Sequence, residues 1–255
     1  MKLKFTKEDF QIPNITHGFL TKNIGGTHKY FQRNPGEKNE SLENIAKNHN
    51  IALSAIGMKA TRLNIPFQIH SDIVITLDAD LSSSLGTPPE ADSFITNKPN
   101  VVLGVVTADC VPILFADSEN RVIGAAHAGW KGARNGIIEN TYNAMIKLGA
   151  KNISACIGPC IHQESYEVSS EFYENFMGET SANKKFFAAS NRTDHYQFNL
   201  PGYASEKLSN SGIKKIYNLN KNTYIDNGNF FSFRRFTHDN TQDYGSLVSL
   251  IAIKA

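Results

Sequence analysis

Cysteine is scarce in this chain, at 3 of 255 residues, and the number is odd. Too few thiols are present for a disulfide framework, and at least one must be free or metal-bound, which fits a reducing cytoplasm. Charge imbalance is missing as well. With 26 basic residues against 24 acidic ones the formal net charge is only +2, so composition makes no general electrostatic case for nucleic acid or a membrane surface. No stretch approaches the roughly 18 uninterrupted apolar residues of a membrane span, and residues 1–9 carry charge without a following apolar segment. A soluble, unexported protein is expected. There is no repeat and no low-complexity tract, so nothing points to a repeat array.

What is present is core material: 40% of residues are hydrophobic, with 16 Phe and 9 Tyr. Residues 101–106 form an almost unbroken apolar run, as in a strand covered on both faces. Residues 111–116 and 122–126, separated by a polar connection, read as a β-hairpin. After Gly129 the spacing of Ile137, Ile138, Met145 and Leu148 predicts a helix stopped by Gly149. Strands are expected at 153–157 and 246–253, and helices at 169–176 and 202–208, the latter introduced by Asn199 and Pro201. Polar stretches at 22–50 and 81–90 read as connections, the second as an exposed loop. Intermixed strands and helices make the class α/β or α+β.

Three chemically distinctive residues lie at the edges of the apolar runs: His70, Cys110 and His127. Taken singly, a cysteine beside a valine-rich strand is usually core packing, and an interior histidine usually bonds a carbonyl. Together, two imidazoles and one thiolate on separate rigid elements suit a catalytic zinc with an open fourth position, and their dispersal is unlike the close pairs of structural zinc sites. Cys156 and Cys160 form a C-x-x-x-C segment around Gly158-Pro159, for which redox chemistry is the minor reading. Lys131 and Arg134, beside backbone amides where a helix begins, are candidates for binding an anion, with Arg234 and Arg235 as a supplementary basic pair.

Several fragments are shared, in order, with one known family: His17-Gly18-Phe19 with Gly25-Gly26, Gln68-Ile69-His70, Ala91-Asp92-Ser93, Thr107-Ala108-Asp109-Cys110-Val111-Pro112, His127-Ala128-Gly129-Trp130, Ile157-Gly158-Pro159, Tyr166-Glu167-Val168, and Phe231-Ser232-Phe233-Arg234-Arg235. Through them the chain resembles the multicopper polyphenol oxidase (laccase-domain) proteins, regarded largely as zinc-dependent purine nucleoside phosphorylases and also called peptidoglycan editing factors. The resemblance implies one domain over residues 1–255, built of mixed β-sheets in a layered sandwich with helices outside. It implies zinc on His70, Cys110 and His127, a catalytic part for Cys110 and His127, and a pocket lined by Gln68, Cys160 and Arg234; on the reading of the residues, Lys131 and Arg134 hold phosphate and Asp109 is a candidate to protonate the departing base.

The implied reactions are phosphorolysis of adenosine, inosine, guanosine and methylthioadenosine, and deamination of adenosine. Purine nucleosides and phosphate are thus the expected partners. Copper-dependent phenol oxidation, the older family label, would call for more histidine ligands. A cysteine hydrolase or amidase acting on peptidoglycan precursors, with Cys110 as nucleophile and His127 as base, is the enzymatic alternative. A zinc-stabilised binding module is the non-enzymatic one. The chain departs from the family where arginine is usual and Lys131 stands, where Thr27-His28-Lys29-Tyr30 follows Gly26, and in residues 236–245 after Arg235.

Overall fold

The structure is a computed structural model describing residues 4–5, 10–23, 42–59, 63–78, 88–239 and 245–254. In chain order the strands are β1 (Lys4–Phe5), β2 (Ile15–Leu20), β3 (Leu63–Asn64), β4 (Val74–Thr76), β5 (Ser93–Thr96), β6 (Val102–Thr107), β7 (Val111–Asp117) and β8 (Val122–Ala128). There follow β9 (Ser154–Ile157), β10 (Glu167–Ser169), β11 (Phe187–Ala189), β12 (His195–Phe198), β13 (Lys215–Asn218) and β14 (Leu247–Ile253). The helices are α1 (Leu42–Ala55), α2 (Trp130–Asn135), α3 (Ile137–Lys147), α4 (Ser170–Met177), α5 (Leu200–Asn210) and α6 (Phe233–Asp239).

The apolar runs become strands with no exposed face. Every residue of β6, β7, β8 and β14 is buried, because two mixed sheets lie face to face and each is covered again on its outer side. One sheet has the order β1-β2-β14-β6-β3, the other β13-β9-β7-β8-β5-β4, and a smaller sheet runs β10-β12-β11. Alternation along single strands shows which side each residue serves. In β7, Leu114 and Ala116 join Phe19, Leu103, Val105 and Ile251 between the sheets, whereas Val111, Ile113 and Phe115 pack outward with Ile138 and Met145 of α3 and Leu208 of α5. Val102 and Val106 of β6 instead face Ala52 and Leu53 of α1. The expected layered arrangement of mixed sheets with outer helices is therefore the one found.

The hairpin is found with longer strands than the sequence suggested. β7 and β8 pair from Val111↔Ala128 to Asp117↔Val122, which puts His127 inside β8, opposite Pro112, and leaves Cys110 just before β7. Asp117 holds the turn, accepting hydrogen bonds from the backbone N–H groups of Glu119 and Asn120, both at 3.1 Å. The expected single helix after Gly129 is two helices, because Gly136 adopts φ 108°, which breaks α2 from α3. Ser169 is the N-cap of α4 and Asn199 that of α5, each side chain accepting an N–H three residues on. The polar stretch read as a connection over 22–50 contains the start of α1, whose Ile45, Ala52 and Leu53 are buried. Gly25, Gly26 and residues 27–30 lie outside the described residues, as does most of 81–90 and of the segment after Arg235.

Candidate metal centre

His70, Cys110 and His127 arrive from three places: the segment between β3 and β4, the residue preceding β7, and the end of β8. Their ligand atoms lie within 4.8 Å of one another, with the Cys110 Sγ 3.8 Å from His70 Nε2 and the two imidazole rings edge to face at 4.7 Å. His127 is buried, Cys110 half-buried and His70 exposed, so the cluster opens to one side. Gly129 closes the other. A Cβ at that position would come within 2.9 Å of the His70 ring and 3.0 Å of the Cys110 Sγ, so only glycine leaves both side chains their places.

Asp92 orders this cluster. It is fully buried, and its Oδ1 lies 2.7 Å from His127 Nδ1 and accepts the backbone N–H of His70 at 3.1 Å. Its Oδ2 accepts from the Ser71 N–H at 2.6 Å, the Ser71 hydroxyl at 2.7 Å and the Ile69 N–H at 3.3 Å. Burial works to raise the Asp92 pKa, but His127 and Ser71 outweigh it and hold the carboxyl below its ordinary value. Burial alone would also push the Cys110 thiol up, yet the imidazoles of His127 and His70 bring it down to about 6. For His127, burial opposes protonation, and the facing thiolate and Asp92 override it to lift the imidazole to about 9. Cys110 and His127 thus favour each other's charged forms. Borderline and soft donors converging with one thiolate charge, and with Asp92 leaving His127 its Nε2, fit a borderline divalent ion.

Beside the cluster lies a cavity of about 420 Å³, inside the ~300–1,000 Å³ range of small-molecule sites. Its wall is mostly apolar and aromatic, with Trp130, Ile161, Tyr166 and Phe233, and two cations reach it, Lys131 and Arg234. Arg234 is held there by stacking its guanidinium 5.1 Å from the Tyr166 ring centre and donating to the Glu167 carbonyl at 2.7 Å.

Arg134, Gln68 and Cys160, also expected at the site, are not among the residues lining the cavity. Arg134 turns to Glu179, at 2.5 Å, and to the Asn175 carbonyl, and does not line the cavity. Both ends of the Gln68 amide bond the backbone of Val106, each at 2.8 Å, so this side chain braces the His70 segment against β6. Cys160 is fully buried in the outer core, where burial and the nearby Asp109 and Cys110 charges push its thiol far up. Cys156 packs between the sheets, so the two thiols serve different cores and the C-x-x-x-C segment is no redox pair. Its Gly158 answers to packing, since a Cβ there would sit 2.2 Å from the Phe19 ring.

Asp109 borders the cavity, but its carboxylate already accepts from Thr223 Oγ1 at 2.6 Å, Ser232 Oγ at 2.9 Å and the Arg234 N–H at 2.7 Å. These three bonds fix the carboxylate at the edge of the cavity against residues 223, 232 and 234. Arg235 is likewise structural, donating to the carbonyls of Thr223, Tyr224 and Phe230. Asp92 itself was visible in the sequence only as part of a shared fragment, without a role.

Comparison with known proteins places this site among relatives. Residues 16–254 match the family model described as multi-copper polyphenol oxidoreductase laccase. A Rickettsia prowazekii protein named purine nucleoside phosphorylase is 40% identical over 89% of this chain and 91% of its own length. A Haemophilus influenzae protein of the same name is 31% identical over 89% and 92%. Among solved structures, a Neisseria meningitidis protein superimposes with a TM-score of 0.82 at 25% identity, covering 100% of both chains. Another, a Bacillus licheniformis hypothetical protein, gives 0.81 at 25% identity over 94% of this chain and 93% of that one.

Proposed function

We propose, from the premise that the chain belongs to the multi-copper polyphenol oxidoreductase laccase family, that it is a zinc-dependent purine nucleoside phosphorylase acting as one domain in the cytoplasm. The observation that carries this reading is the opening of the His70–Cys110–His127 cluster into a cavity holding both an aromatic wall and two cations. The names of the relatives support the reaction class. Among the described residues no helix is long and apolar enough to cross a membrane.

Phosphorolysis needs a nucleoside and a phosphate held in contact, with the glycosidic C–N bond breaking as a phosphate oxygen bonds to C1′ and the electron pair leaves with the base. Tyr166, Trp130 and Phe233 offer ring faces and apolar surface to the nucleoside and keep water away from it. Lys131 and Arg234 supply the charges for phosphate, Lys131 as a mobile point charge and Arg234 as an oriented fork. Zinc held by His70, Cys110 and His127 would supply Lewis acidity at the cavity floor and lower the pKa of water there. Deamination of adenosine is the companion reaction we assign to the same cavity, with adenosine, inosine, guanosine and methylthioadenosine as candidate nucleosides.

The depressed Cys110 thiol beside His127 also favours a second reading, a cysteine hydrolase with a free nucleophile. Copper in the same three ligands is the remaining metal alternative, which metal analysis of the purified protein decides. One experiment separates the activities: incubation with adenosine, with and without phosphate and chelator, resolving adenine, inosine and hypoxanthine. Phosphate-dependent release of adenine that chelation abolishes is expected. Turnover indifferent to both phosphate and chelator, or no turnover of adenosine at all, would overturn the proposal.

A further inference from the structure

We infer that Asp92 is a positioning residue for the metal, a single carboxylate that sets both histidines of the cluster at once; the inference rests on the metal reading above. His127 has two ring nitrogens, and only one can face Cys110 and His70. Asp92 Oδ1, 2.7 Å from Nδ1, makes that nitrogen the donor and leaves Nε2 with its lone pair toward the cluster. The second histidine is held by its backbone rather than its ring. His70 stands at φ 60°, the left-handed region that a residue with a side chain enters at a cost. The consecutive N–H groups of Ile69, His70 and Ser71 all converge on the Asp92 carboxylate, which over-determines this conformation and aims the ring.

Asp92 can do this because it has no freedom of its own. Its side chain is sealed from solvent, its N–H donates to the Ile73 carbonyl at 3.0 Å, and its carbonyl accepts the His127 N–H at 2.7 Å. The His70 segment, Asp92 and the end of β8 are thereby tied together by bonds that all pass through one residue. Asp117 provides the contrast within the same sheet. It too is fully buried and accepts several N–H groups, among them those of Lys151 at 2.6 Å and Asn152 at 2.8 Å, but the donors it accepts from are Glu119, Asn120, Lys151 and Asn152, none of them in the cluster. A buried carboxylate that only knits loops looks like Asp117; the imidazole contact is what sets Asp92 apart.

The test uses the full chain stripped with chelator, titrated with zinc in competition with a chromogenic chelator and, separately, with cobalt(II) read by its absorption spectrum. The melting temperature of each metal-free variant is recorded alongside. Asp92→Asn is expected to weaken zinc binding roughly 10–100-fold and to alter the cobalt spectrum. Asp117→Asn is expected to lower the melting temperature while leaving both readouts as in the parent. Ser71→Ala, which deletes one bond to Asp92 without touching a ring, is expected to weaken zinc binding by a smaller factor and decides the matter if Asp92→Asn does not fold. Parent-like zinc affinity and cobalt spectrum in folded Asp92→Asn, or in Ser71→Ala when that variant stands in for it, would overturn the inference while leaving the metal reading intact. Failure of the parent chain to take up zinc would instead remove the metal reading, and the inference with it.

Discussion

Asp92 and Asp109 are both buried, both bonded to several donors, and both tied to residues at the site, yet they do different work. The donors to Asp92 include the His127 ring and the His70 backbone, so its carboxylate is coupled to the ligand set. Those of Asp109 are Thr223, Ser232 and the N–H of Arg234, so its carboxylate fastens the start of α6 and the residues near 223 to the backbone just before Cys110. One aspartate organises the His70–Cys110–His127 cluster and the other builds part of the cavity wall. Cys110 follows Asp109 directly and faces the two histidines, which makes it the point where the halves meet. The comparison teaches that burial and hydrogen-bond number do not assign a role; the identity of the donors does.

The largest expected effect joins the halves rather than separating them. Cys110→Ala should lose both bound zinc and nucleoside turnover, because two imidazoles cannot replace the thiolate charge; retained metal stoichiometry would count against the ligand set. In the chelated parent protein, iodoacetamide should label Cys110 with a rate midpoint near pH 6 instead of the ordinary 9.0, and bound zinc should protect it. The sign follows from linkage. The Cys110 contribution to metal-free stability is complete above 9.0 and lost as pH falls through about 6, while that of His127 is complete below 6.5 and lost as pH rises through about 9, so between those values the two changes oppose each other and metal-free stability should vary little with pH.

Smaller effects should divide by side. Asp109→Asn is expected to cost about 1–3 kcal/mol by denaturant unfolding, since a donor replaces one acceptor among three buried bonds, while zinc stoichiometry stays at the parental value. Loss of zinc in that variant would collapse the distinction between the aspartates. Lys131→Ala should raise the phosphate concentration needed for half-maximal rate about tenfold, equivalent to ~1.4 kcal/mol, with zinc content unchanged. Arg134→Ala should leave the phosphate requirement unaltered and shift stability by only about 0–1 kcal/mol, the range of partly exposed ion pairs.

Much of this was legible where one strand's pattern sufficed. The hairpin registers that place Cys110 near His127 follow from the apolar runs of β7 and β8 and their short connection, and the caps Ser169 and Asn199 stand where local chemistry puts them. What stayed hidden depends on residues distant in sequence. Asp92 is one carboxylate in a short fragment until the 69–71 backbone folds over it. Arg134 looks like an anion ligand on α2 until Glu179 arrives from beyond α4. Gln68 is among the substrate contacts that the resemblance implies, and the Val106 backbone that its amide bonds lies 38 residues away. Helix α1 was obscured by a polar sequence in which only one side is apolar.

None of the three cysteines forms a disulfide, so no such bond fastens one part of the chain to another. A metal bound at the cluster would take on that task. His70 and Cys110 are 40 residues apart, and an ion bound to both, and to His127, closes a loop of the kind that a disulfide would close in a secreted protein. Because the three residues come together only with β8 docked between β5 and β7, the unfolded chain has no such site, and on the zinc reading each increment of free zinc above the dissociation constant would shift the folding equilibrium toward the native state. Metal supply would then govern how long the chain persists in the cell as well as how fast it turns over substrate.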